Sequence, residues 1–215
     1  MVLVFGAGGA LGGGVAAAFQ AAGATVTGLD RDEPTAGHRV DGVSYEALDV
    51  LDEAALGRAI GAAAPWAVVN TIGGFAGQRP LSQLDAGELT SQLQLNLMTS
   101  ALITKHALAA MAAGGTGRIV HTASRAAVVT PGAGFAYSVS KAAVLHLVAM
   151  AADEVRGTGI TVNCVVPSII DTPANRAAMP DANHASWPKI PDIARTYLFL
   201  AGPGAGLTSG AAIPV

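Results

Sequence analysis

At 215 residues the chain is long enough for one α/β domain with a core on both faces of a sheet, and too short for several large domains. It is 51% hydrophobic and 13% charged with a formal net charge of -3, which gives no electrostatic footprint for nucleic acid or an anionic membrane and leaves apolar surface for self-association. One cysteine, Cys164, excludes an internal disulfide and is expected in the core, and no run reaches the roughly 18 apolar residues of a membrane-spanning helix.

The chain opens on Met1-Val-Leu-Val-Phe5, which reads as a strand and not as a charged leader, so a cytoplasmic location is expected. Residues 2–5 form a first buried strand, and 11–22 a helix that Gly23 ends. Residues 24–29 are a second strand, 31–42 a polar loop, 43–48 a third strand, and 52–63 a helix that Asp52 can cap. A fourth strand at 66–70 leads into a loop at 71–80 and a long helix over 85–113, which Gly114 and Gly115 stop. A fifth strand covers 118–122, a second long helix 137–156 and a sixth strand 160–166. Residues 169–188 read as irregular, followed by a helix at 192–201 and a last strand near 211–215. Such alternation means a parallel sheet with helices on both faces, a doubly wound α/β fold in one domain over 1–215.

Gly6-Ala-Gly-Gly9-Ala10-Leu11-Gly12 joins the first strand to the first helix. Glycines there permit a tight turn and bring backbone N–H groups, with the positive end of the helix, against a pyrophosphate. Asp30 ends the second strand, where a carboxylate can accept from ribose hydroxyls and repel a 2′-phosphate. That favours NAD(H), while the neighbouring Arg31 keeps NADP(H) open. Asp49 and Val50 end the third strand, and Asp49 can meet an adenine amino group or cap a helix. Tyr137 and Lys141 lie one helical turn apart on one face, so the ammonium can stabilise a tyrosinate and lower the phenol from about 10. Ser124 precedes them at a strand end.

With these residues in this order the chain resembles the short-chain dehydrogenase/reductase superfamily over nearly its whole length. The resemblance implies a Rossmann-type sheet of seven parallel strands in the order 3-2-1-4-5-6-7. It also implies hydride transfer between a nicotinamide and a small carbonyl or alcohol. Tyr137 would be the general acid or base, Ser124 the donor to the substrate oxygen, Lys141 the partner of the nicotinamide ribose, and Asn96 the holder of a water leading from Lys141 to solvent. Asn70, Ile72 and Gly73 would flank the coenzyme. Pro167, Ile170 and Thr172, following Asn163-Cys-Val-Val, would hold its nicotinamide end. Relatives pack as dimers or tetramers through the helices matching 85–113 and 137–156, and the apolar Leu102, Leu145 and Val148 would face such a partner.

Several segments are also similar to the dihydropteridine reductases: Gly9-Ala-Leu-Gly12, Gly73-Gly-Phe-Ala-Gly77 and Asp171-Thr-Pro-Ala-Asn-Arg176-Ala-Ala-Met-Pro180 with Trp187 beyond. That branch implies NADH-dependent reduction of a quinonoid dihydropterin, but Ser124 suits a true carbonyl. A third reading is a catalytically silent nucleotide sensor on the same fold. Residues 169–188 would form a mostly apolar flap over the substrate, with Arg176 and His184 as its polar contacts. His38, His106, His121, His146 and His184 have no metal-site spacing, and no glycine flanks Ser124 as a hydrolase elbow requires.

Overall fold

Short apolar runs form the strands of the computed structural model, which describes residues 1–32, 34, 39–77, 79–129 and 134–215. Parts of the loops expected at 31–42 and 71–80, and His38, lie outside the described residues. Strand β1 (Val2–Phe5) leads to α1 (Ala10–Ala21), β2 (Val26–Asp30), β3 (Val43–Ala47), α2 (Glu53–Ala63) and β4 (Ala67–Asn70). The second half runs α3 (Ala86–Gln92), α4 (Thr99–Ala112), β5 (Thr116–Thr122), α5 (Phe135–Glu154), β6 (Gly159–Val166), α6 (Pro173–Ala178), α7 (Ile190–Ala201) and β7 (Ala212–Pro214). Seven strands form one sheet in the order β3-β2-β1-β4-β5-β6-β7, and every neighbouring pair is parallel.

Parallel pairs need crossovers, and these bring helices to both faces. On one face α1 and α7 pack through Val15, Phe19, Ile193, Tyr197 and Leu200. On the other, α2, α4 and α5 pack through Leu56, Ile60, Ile103, Met111 and Val148. Strand order reverses between β1 and β4, which opens a crevice at their carboxyl ends.

Two predicted elements differ. The helix expected over 85–113 is divided: α3 is followed by a π-helical stretch, Leu93–Met98, before α4. The hydroxyls of Thr99, Ser100 and Thr104 donate to the carbonyls of Leu95, Asn96 and Ser100, four residues back, and such bonds compete with the helical ladder. The segment at 169–188 is not wholly irregular. Thr172 caps α6 by accepting the Asn175 N–H, and a short 3₁₀ turn spans His184–Ser186.

Helix α5 is long and apolar enough, by length and composition, to cross a membrane. Here it is a core helix, its inner face burying Ser140, Lys141, Val144 and Val148. Val148 therefore belongs to the interior at 1% exposure rather than to an outward patch, and Leu102 and Leu145 are half-buried against the same core.

Candidate active site

A cleft of about 510 Å³ opens at the crevice, and Gly6, Gly9, Asp30, Arg31, Asp49, Val50, Ile72 and Gly73 all line it. Gly6 has φ +79, and a Cβ on Gly12 would come 2.1 Å from the Gly6 carbonyl oxygen. Only glycines at these positions let α1 start this close to the turn. No side chain caps α1 at Gly9, so the first amides of the helix, at Ala10, Leu11 and Gly12, are free to receive an anion. Asp30 accepts the Gly8 N–H at 3.0 Å and the Arg31 N–H at 2.8 Å, which fixes its carboxylate at the cleft wall. The Arg31 guanidinium is exposed and lies 3.7 Å from Asp32. Asp49 receives the Leu51 N–H, while Asp52 caps α2, so Asp49 is no helix cap.

Of the four candidate catalytic residues, Lys141 and Asn96 stand directly behind the cleft wall at Gly73. Ser124 lies two residues beyond the end of β5 and accepts the Ala126 N–H at 3.2 Å, which caps the turn that follows. Burial holds the Tyr137 phenol above its ordinary value, and a hydrogen bond with Ser124 pulls the other way. The Lys141 ammonium is 3% exposed and donates to the Thr122 carbonyl at 2.9 Å. Burial pushes its pKa down to about 8. The ammonium is thus held by β5, and the neighbour whose hydrogen bond lowers the phenol is Ser124.

Asn96 sits in the π-helical stretch, fully buried. Its side chain accepts the Gly74 N–H at 3.2 Å and donates to Gln92 Oε1 and Ser140 Oγ. These bonds tie the loop after β4 to α5, and its backbone carbonyl accepts the Ser100 hydroxyl.

The structure does not bring every candidate into the cleft. Asn70 is 1% exposed, its carboxamide held by Ser100, His121 and the Ile72 N–H, so it acts from behind the wall. Pro167 is buried, and its carbonyl accepts the Arg125 N–H, joining the Ser124 turn to the segment that follows β6. Ile170 is half-buried against the core, and the Thr172 hydroxyl is engaged as a helix cap. Arg176 forks onto both oxygens of Asp171, at 2.6 and 2.9 Å. His184 bonds the Met179 carbonyl and packs tilted against Trp187, with ring centroids 4.5 Å apart.

Two residues at the site escaped sequence reasoning. Thr71 lines the cleft and anchors β4 to β1 through the Phe5 carbonyl at 2.7 Å. Phe75, 56% exposed, meets Tyr137 edge to face at 5.1 Å. A lone aromatic within Gly73-Gly-Phe-Ala-Gly77 was the available signal, since glycines hold no core that could bury it. Among the described residues no cluster of potential metal ligands occurs.

Comparison with known proteins matches this geometry to a family. The sequence model described as short chain dehydrogenase matches residues 1–183. A cis-4-hydroxycyclohexanecarboxylate dehydrogenase of Sinomonas cyclohexanicum is 31% identical over 195 residues, covering 84% of this chain and 76% of that protein. Momilactone A synthase of Oryza sativa subsp. japonica is 36% identical over 144 residues, covering 60% of this chain and 53% of that protein. A solved short-chain type dehydrogenase/reductase from Mycobacterium ulcerans superposes on 100% of this chain and 87% of its own, with TM-score 0.91 and 32% identity. A family match over most of the chain, joined to a glycine-walled crevice, a half-buried tyrosine and serine and a buried lysine, places this protein in the short-chain dehydrogenase/reductase superfamily.

Proposed function

We propose that the protein is an NAD(H)-dependent oxidoreductase that interconverts a small carbonyl compound and its alcohol, with Tyr137 as the proton donor or acceptor. The observation that carries this reading is the meeting of the Tyr137 phenol with the Ser124 hydroxyl, near a buried Lys141 ammonium and beside the glycine-walled cleft. The cleft's residues fit a dinucleotide: open helix amides and glycine backbone for the pyrophosphate, and Asp30 for the ribose hydroxyls. When bound, the nicotinamide supplies or accepts the hydride.

Burial keeps the Tyr137 phenol protonated at neutral pH, so it is ready to donate to a nascent alkoxide. Ser124 donates to the same oxygen and stabilises its charge. Lys141 supplies a fixed positive charge deep in the crevice, and Asn96 holds the Gly74 backbone against it. Asp30 favours NAD over NADP, and Arg31 is turned toward Asp32 rather than left for a 2′-phosphate. Exposed Phe75, Val128, Val129 and Ile169 on the loops around the site favour a small, weakly polar substrate. The Sinomonas relative, named for dehydrogenating a hydroxycyclohexanecarboxylate, fits that size. The Ser124 contact with the phenol supports a carbonyl over a quinonoid dihydropterin.

The test is turnover of small ketones and alcohols with NADH and NADPH side by side. Tyr137→Phe should lower turnover by at least ~100-fold while coenzyme affinity stays within about twofold. Near-normal turnover in that variant would overturn the catalytic assignment, and a preference for NADPH would overturn the coenzyme assignment.

A further inference from the structure

His121 on β5 is fully buried, and each ring nitrogen has one partner. Nδ1 lies 3.3 Å from Asn70 Nδ2, and Nε2 lies 2.8 Å from Thr104 Oγ1. An amide nitrogen only donates, so Nδ1 accepts. Thr104 gives its own proton to the Ser100 carbonyl at 2.7 Å, so its oxygen accepts from Nε2–H. Only the neutral Nε2–H tautomer satisfies both contacts. Burial, and secondarily the charge of Lys141, hold the ring unprotonated, with a pKa of about 4.

The Asn70 carboxamide carries the arrangement onward. Its amide nitrogen also donates to Ser100 Oγ at 3.0 Å, and its Oδ1 accepts the Ile72 N–H at 3.0 Å. Ile72 and Gly73 wall the cleft, and a Cβ on Gly73 would sit 2.6 Å from Lys141 Nζ and 2.9 Å from Asn96 Oδ1. A flipped carboxamide would turn its NH₂ toward the Ile72 N–H, donor against donor. The Ser100 hydroxyl gives its proton to the Asn96 carbonyl, so its oxygen, like the His121 lone pair, accepts from the carboxamide NH₂.

We propose that His121 is a positioning residue: its Nδ1 lone pair, together with the Ser100 oxygen, selects the Asn70 carboxamide orientation and so fixes the backbone at 72–74 between the cleft and Lys141. The role assigned to that wall rests on reading the cleft as the coenzyme's.

Two measurements test it. In the wild-type protein at neutral pH, imidazole ¹⁵N shifts should show Nε2 protonated and Nδ1 bare; an Nδ1–H tautomer or an imidazolium overturns the proposal. Amide hydrogen exchange then separates positioning from general stability. His121→Phe, which has no acceptor, should speed exchange at Ile72 by about tenfold or more. His121→Asn, whose Oδ1 can stand where Nδ1 accepts, should hold it within about twofold of wild type. Equal exchange in the two variants overturns the proposal. If His121→Phe does not fold, Thr104→Val frees Nε2 and should also speed Ile72; unchanged exchange there is equally decisive. These readings need no coenzyme. Titration of wild-type protein with NADH and NADPH judges the coenzyme reading separately, since no binding of either would overturn that reading alone.

Discussion

Lys141 is 3% exposed and burial brings its ammonium down to about 8, while burial drives the Tyr137 phenol upward. Lost water thus moves the two groups apart in acidity, leaving the ammonium the stronger acid of the pair. His121 follows the same physics. Its folded pKa of about 4 lies below the ordinary value of 6.5. A depressed pKa means that the unfolded chain binds more protons between those values, so stability is full above about pH 6.5 and falls as pH drops toward 4. We expect wild-type protein to lose roughly 2.5 kcal/mol more than His121→Asn between pH 7 and about pH 4.5, read by urea unfolding. Equal losses would show that the ring titrates without cost. Sequence spacing placed Tyr137 and Lys141 on one face of a helix, and the structure agrees. It could not show where the ammonium points, because the Thr122 carbonyl that holds it comes from a strand brought near by tertiary packing.

Among the elements, α1 shows how closely a helix can be set by absent atoms. The Gly12 Cβ position falls on backbone, 2.1 Å from the Gly6 oxygen, so no rotamer change relieves a clash there. Gly61, at the exposed end of α2, has nothing within 4 Å. The two positions should therefore respond in opposite directions. Gly12→Val must push α1 off β1, costing at least about 1–3 kcal/mol and weakening coenzyme binding. Gly61→Ala should stabilise by up to about 1 kcal/mol through helix propensity alone. Thermal unfolding of both variants checks this, and a Gly12→Val protein of wild-type stability would show that the turn is looser than its packing implies. Strands and most helices were legible in hydrophobic runs and in the glycines that stop them. The π-helical stretch was not, since an apolar pattern does not register hydroxyls bonding back to carbonyls. The capped α6 hid within a segment rich in proline, although Thr172 before Pro173 was a usable start signal.

At the scale of the whole molecule, the order of the strands followed from the resemblance, whereas the outward surface did not follow from composition. Val148 turned inward, and the outer faces of α4 and α5 instead frame a groove of about 650 Å³ lined by Leu108, Ala109, Ala112, Leu147 and Met150. Met150 is 61% exposed there, on a helix whose opposite face carries Lys141. A chain with 13% charged residues has few polar groups with which to cover such a face. A second copy would supply the same apolar surface by two-fold symmetry, and closing the groove would brace α5 and with it the Tyr137–Lys141 pair. The expected result is a dimer or tetramer by sedimentation at micromolar concentration. Met150→Lys should shift the protein toward monomer, since a lysine pressed into an apolar seam is either desolvated or forces the seam apart. Turnover should fall with dissociation if bracing matters and stay level if α5 is held by its own sheet. An unchanged mass in Met150→Lys would move the interface off this face.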